Sequence, residues 1–309
     1  NTPTGAEGRW VDGDKIRFRK GLPQKIGGWT KFSADYYVGV GRALEQWYSL
    51  DGSRYEALGT DRKVYVYQSG DNQDITPIRS TDALVNAITT TNTSNVVTIS
   101  DTSHGALLGD FVTLSSVSTD VGGIPAATLD GEYEILSISN VNAYTIQSSA
   151  TATSSVGPTA NCTATYQLNI GPSIQTFGYG WGASTWGAST WGTPRSTSSV
   201  ILDARLWSIN NWGEDLVITE KDGGTYEWDL SLGMSSNRAT AIANAPTTST
   251  LSLISTETRH VICMGTELTI GDSTTFDKMF IRWSDQENYN FWTPNVTNSA
   301  GSQRIAGGS

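Results

Sequence analysis

Three neighbouring runs, ALEQWYSL (43–50), SRYEALGT (53–60) and KVYVYQ (63–68), mix aromatic and aliphatic residues with polar ones. Short β-rich runs of this kind, punctuated by Gly, Asp and Asn, predict half-buried β-strands. Asp51-Gly52 and Asp61-Arg62 separate the runs and supply tight turns, Asp-Gly being the stronger hairpin signal. A fourth run, DITPIR, follows from Asp74. Four antiparallel strands in about forty residues is the size of one propeller blade.

The pattern recurs. ARLWSI (204–209) is followed by an expected turn over Asn210 to Gly213, then EDLVITE, then Asp222-Gly223-Gly224, then TYEWDL. A weaker third copy reads ETRHVICMGTEL from Glu257, a loop, and KMFIRWSD from Lys278. KVYVYQ, TYEWDL and MFIRWSD are the comparable strands of the three copies. Helical periodicity is almost absent, so the expected class is all-β. The expected architecture is a β-propeller-like domain, with a large β-sandwich as the competing arrangement.

Residues 83–170 differ in character. They are rich in Thr, Ser, Val and Ala and contain no Trp. Their strands read NVVTIS, FVTLSSV, GEYEILSIS and AYTIQSS, with turns at Ser103-His104-Gly105, Gly122-Gly123 and Asp130-Gly131. This predicts a small β-barrel or sandwich module inserted between blades, where closely spaced surface chain ends tolerate insertion. Residues 1–82 are then the first part of the propeller and 171–309 its continuation. At the junction, GYGWGASTWGASTWG (178–192) repeats with a period of five, which fits neither helix nor strand. Trp181, Trp186 and Trp191 are therefore expected to plug separate pockets or to anchor a subunit contact. Carbohydrate stacking on the same rings is the alternative.

Charge divides the chain further. The net charge is −10 and the pI about 4.7, the wrong sign for a protein that holds nucleic acid through its phosphates. Yet residues 8–31 carry Arg9, Lys15, Arg17, Arg19, Lys20, Lys25 and Lys31, whereas residues 80–194 carry no Lys or Arg. Arg17, Arg19 and Lys20 are the candidate interface cations, facing either an acidic partner protein or DNA at one constriction. A solvated charged strand pair is the plain reading of the same block.

Little catalytic chemistry is legible. The two histidines, His104 and His260, have no His or Cys neighbour at metal-ligand spacing, and Cys162 and Cys263 read as isolated thiols of a reducing cytoplasm. No nucleophile elbow, phosphate loop or dinucleotide fingerprint is present. Asp12-Gly13-Asp14 lacks the further ligands of a calcium loop and reads as a turn. Ser284-Asp285-Gln286-Glu287 faintly resembles a sialidase-type Asp-box turn without its Gly and Trp order. The expectation is a non-enzyme with no metal and no cofactor. No run of 18 apolar residues and no signal peptide is visible, and the last residues have no terminal character, as in a chain that continues.

Several motifs, in order along the chain, resemble one family. They are Trp10 to Arg19, Gly21 to Trp29, Leu58-Gly59-Thr60, Val64-Tyr65-Val66, Asp74 to Arg79, Asp101 to Gly105, Gly131-Glu132-Tyr133, Gly178 to Gly182, Asn211 to Leu216 and Arg282 to Asp285. The chain resembles the tail nozzle, or tail hub, proteins of short-tailed bacteriophages (podoviruses), although no clear gate loop is present. The resemblance implies a virion structural subunit, made in the bacterial host cytoplasm, that forms a homo-oligomeric ring, typically a hexamer, below portal and adaptor. It implies that the ring extends and closes the DNA ejection channel and helps anchor tail fibres or tailspikes at the host cell surface. Genomic DNA would pass without sequence-specific binding, which suits an acidic or neutral wall. A carbohydrate-binding, host-receptor propeller is the alternative function.

Overall fold

The computed structural model describes residues 13–28, 30–31, 33, 35–175, 203–235 and 237–306. The chain divides into two compact units, Asn1–Ala34 and Asp35–Ser309.

In the first unit, β1 (Ile16–Arg19) and β2 (Leu22–Lys25) form an antiparallel hairpin. Lys20 and Gly21 both have positive φ, 53° and 78°, which makes the two-residue turn type I′, the hand that matches strand twist.

The second unit is all-β and propeller-like. Its first sheet is a meander of β3 (Gly41–Tyr48), β4 (Arg54–Thr60), β5 (Val64–Gln68) and β6 (Asp71–Asp74). The fourth strand is therefore not DITPIR. Ser69 and Gly70, both at positive φ, turn the chain early, and the polar run Asp71–Asp74 pairs with Tyr65–Gln68. The chain then peels away: the Thr76 amide donates to Asp74 Oδ1, and Thr76 Oγ1 accepts from the Val64 amide.

An eight-stranded antiparallel sheet follows. Its strands are β7 (Ile78–Leu84), β8 (Ile88–Thr90), β9 (Val96–Ser100), β10 (Phe111–Ser115), β11 (Gly131–Asn140), β12 (Ala143–Gln147), β13 (Val156–Thr159) and β14 (Cys162–Gln167), with one helical turn, α1 (Ala126–Leu129), before β11. The order β13-β8-β9-β12-β11-β10-β14-β7 curls into a half-barrel. Val97, Ile99, Leu114, Ile135, Tyr144 and Tyr166 fill its concave core.

Two more meanders complete the unit. One is β15 (Trp207–Trp212), β16 (Asp215–Glu220), β17 (Thr225–Trp228) and β18 (Thr240–Ala241); the other is β19 (Ser249–Ile254), β20 (Val261–Glu267), β21 (Phe276–Trp283) and β22 (Gly301–Arg304). The expected turn at Asn210 falls instead at Gly213, because Asn210 and Asn211 pair with Val217 and Leu216. The Asn210 side-chain amide also donates to the Ser252 carbonyl, 3.2 Å away in the next sheet.

β15 packs on β3 and β4 on one side and on β19 on the other. The first strands of the three meanders are thus neighbours, as in successive propeller blades. Tryptophans bind the layers. Trp207 lies against Gly59, where an added Cβ would stand 2.7 Å from its ring, and donates its indole N–H to Thr60 O at 2.6 Å. Trp47 donates to Glu214 O at 2.9 Å and meets Trp228 edge-on. Between the second and third meanders the core is Trp212, Val217, Ile242, Val261, Cys263 and Trp292.

Candidate interaction site

The hairpin gives the candidate cations a defined geometry. Residues directly opposed in the register share a face: Ile16 with Lys25 and Phe18 with Pro23 on one, Arg17 with Gln24 and Arg19 with Leu22 on the other. One face is thus largely apolar and the other carries two guanidinium groups, spaced two residues apart on one strand. Arg17 is steadied by a hydrogen bond to Gln24 Oε1 at 3.2 Å. Lys20 sits at the turn tip. Phe18 is 51% and Leu22 70% exposed. A two-stranded ribbon with this much exposed apolar surface is suited to docking rather than to standing alone. Trp181, Trp186 and Trp191 lie outside the described residues.

A second polar constellation was not foreseen. Lys63, at the start of β5 and only 3% exposed, reaches Asp74 Oδ2 at 2.9 Å and also bonds Glu132 of β11. Arg238, just before β18, contacts the same two carboxylates at 3.1 and 3.5 Å and donates to Thr76 O. Gln167 at the end of β14 donates to Glu132 Oε2 at 2.5 Å. One knot therefore fastens the first meander, the eight-stranded sheet and the second meander. Burial pushes the Asp74 carboxyl upward, but Arg238 and then Lys63 overcome it and hold the group below the usual carboxylate range. Arg62 extends the joint to Glu134 and Gly109 O, both at 2.7 Å.

The groups that could carry chemistry are mostly engaged in structure. His104 Nδ1 accepts from the Ala106 amide while Nε2 donates to Asn140 O, both at 3.1 Å, which assigns the neutral Nε2–H tautomer. Arg79 donates to His104 O and stacks over Tyr166, and the His104 side chain is buried while Ser103 and Gly105 on either side are exposed. Tyr166 donates to Asp101 Oδ2 at 2.5 Å. His260 Nδ1 donates to Ser284 O at 2.7 Å. Burial pushes both thiols, Cys162 and Cys263, up to about 11. Asp285 holds a turn: its Oδ1 accepts from the Ser299 amide, the Ser299 hydroxyl and the Gln286 amide at 2.7–2.9 Å, and these bonds lower its pKa. Among the described residues no group of three His, Cys, Asp or Glu is placed to hold a metal ion. No described helix is long and apolar enough to cross a membrane.

Open grooves lie among the described residues. One, of about 580 Å³, lies where Leu50, Tyr55 and Gln68 approach Glu214 and Met234; the other, of about 730 Å³, runs along β11 beside Leu108 and Leu136. Their carboxylates are already committed. Asp51 accepts from the Ser53 amide and Glu214 from the Leu50 amide, both at 2.7 Å, while Glu132 and Glu134 pair with Lys63 and Arg62.

No family model matches the chain, and no curated protein matches it. Among solved structures it is similar to the phage phi92 endosialidase, at 12% identity and a TM-score of 0.25, over 92% of this chain. The chain spans 40% of that structure's length, and a likeness this loose carries no argument about function.

Proposed function

We propose that the protein is a virion structural subunit of a short-tailed phage, a component of the tail nozzle that extends the DNA channel below portal and adaptor. The observation that carries this reading is the layering. Three four-stranded meanders stack through their first strands, and a separate eight-stranded sheet follows the first of them in the chain. Three of the motifs that resemble nozzle proteins fall within that layering. Gly59 of Leu-Gly-Thr is the seat of Trp207, Asn211 to Leu216 forms the β15–β16 turn, and Arg282 to Asp285 closes β21.

Charge supports the reading. The eight-stranded sheet, Ile78–Gln167, contains Arg79 as its sole basic residue, so its surface repels phosphate and would not retain DNA in transit. The exposed hairpin, with five basic residues against one acidic between 13 and 28, suits an acidic protein neighbour in the assembly. The test is to mix the purified chain with the portal–adaptor complex of its phage and image the product by negative stain. A ring added below the adaptor is expected. A protein that stays off the complex, or that instead binds surface glycan and loses that binding on Trp186→Ala, would overturn the reading.

A further inference from the structure

The eight-stranded sheet carries a core of its own. That core runs from Leu84 to Tyr166 and comes entirely from the sheet and its loops, while the two cores of the meanders draw nothing from residues 78–167. A separate core is the mark of a separate domain. The chain enters and leaves this one on adjacent strands. Ile75 belongs to the core shared by the first and second meanders, and Thr76-Pro77 then leads into β7. β14 ends at Gln167, and Leu168 packs back on that same meander core, its amide donating to Pro77 O at 3.0 Å. Two short crossings, side by side, connect the sheet to the meanders.

Where the sheet meets the meanders, charge takes the place of apolar packing. The sheet brings two carboxylates, Glu132 and Glu134; the meanders bring three cations, Arg62, Lys63 and Arg238, against one carboxylate, Asp74. The positive excess on one side meets the negative charge on the other, and the closed joint is neutral. Phe111 of the sheet is buried but belongs to none of the three cores; Lys63 Nζ and the Arg62 guanidinium cover its ring at 4.1 and 4.9 Å. The return segment adds further polar bonds, from the Ile170 amide to Asp110 Oδ1 at 2.8 Å and from the Asn169 side chain to Gly105 O at 3.1 Å. The first and second meanders, by contrast, share Trp47, Trp207 and Trp228 in one continuous core.

The two kinds of joint differ on opening. Separating an apolar joint exposes its surface to water, which is unfavourable throughout. Separating a charged one rehydrates Glu132, Glu134 and their partners, which recovers the hydration that closing removed. Lys63 and Arg238 keep Asp74 when Glu132 moves away, so opening strands no buried charge. Polar joints of this kind between domains permit relative motion. We infer that the eight-stranded sheet is a separately folded arm, held shut against the meanders by this charge latch and free to swing about Pro77 and Leu168 when the latch opens. Thr76 lies on the fixed side of the pivot: its Oγ1 accepts from the Val64 amide and its carbonyl from Arg238. The device is built into the single chain and stands apart from the tail role proposed above.

Spin labels on the full chain test it. Val141, at the β11–β12 turn, and Leu232, between β17 and β18, are 71% and 68% exposed. Both native thiols are buried, so Val141→Cys with Leu232→Cys gives two labelling sites, and electron–electron double resonance reads the distance between them. The doubly labelled parent should give one narrow distance distribution. Glu132→Gln with Glu134→Gln removes the sheet's half of the latch and should broaden that distribution and add new distances. The arm itself should stay folded, with Cys162 still protected from alkylation. Tryptophan emission, which arises wholly outside residues 78–167, should be unchanged. Arg62→Gln with Arg238→Gln opens the latch from the meander side and should have the same effect. A distribution already broad in the parent, or as narrow in either folded variant as in the parent, overturns the latch. Loss of Cys162 protection in both variants overturns the separate fold of the arm.

Discussion

Lys63→Met should be among the most damaging single substitutions that leave every apolar core in place. The lysine is nearly inaccessible, bonds Asp74 and Glu132, and lies over the Phe111 ring at 4.1 Å. Breaking a buried pair costs about 3–5 kcal/mol when the survivor has no other partner. Asp74 keeps Arg238 at 3.1 Å, which brings its share to the lower end. The Glu132 side chain is 35% exposed and keeps Gln167, so screening limits its share to at most about 1 kcal/mol. The expected loss is therefore about 3 kcal/mol, or a midpoint shift of about 1 M in urea for a slope of about 3 kcal/mol/M. The pH dependence supplies a second, independent reading. Asp74 is held below its unfolded pKa, so its contribution is complete above the ordinary carboxylate range and disappears as pH falls through the lowered folded value. In Lys63→Met one of the two lowering cations is gone and burial weighs more, so the folded pKa rises. The variant then loses less than the parent on acidification, and the penalty must shrink as pH falls from about 7 to about 3, below the ordinary carboxylate range. A midpoint within about 0.2 M of the parent, or a penalty equally large at both pH values, would refute the claim that this knot ties the layers together.

Other substitutions probe the layering elsewhere. Trp207→Ala empties the seat on Gly59 and should cost about 3–5 kcal/mol, and Gly59→Ala, which forces a Cβ into the same ring, about 1–3 kcal/mol, both read by chemical unfolding. Tyr166→Phe leaves the buried Asp101 carboxylate without its 2.5 Å donor and should cost about 1–3 kcal/mol in the same assay. Both cysteines are buried with raised pKa values, so neither should react with a disulfide reagent at about pH 8 until the fold is opened by denaturant. Reaction of either thiol in the native state would contradict the packing of β14 or β20.

What the sequence disclosed depended on which strands carry a hydrophobic rhythm. KVYVYQ, TYEWDL and MFIRWSD occupy the third position of their meanders, where one face meets a neighbouring layer, and each is rich in aromatic and aliphatic residues. β6 reads Asp-Asn-Gln-Asp and β18 is the dipeptide Thr240–Ala241; both are edge strands fixed by a partner's backbone, with no rhythm of their own. β19 was missed: Leu251 and Leu253 alternate with Ser252, but its small polar residues resemble the loop around it. Lys63 could not have been found, because a lysine flanked by a turn and a strand is expected to face water. Its burial follows from two carboxylates that come from residues 11 and 69 positions away. The hairpin shows the opposite limit. Local rules alone set its turn, register and two faces, but they are silent on what those faces meet.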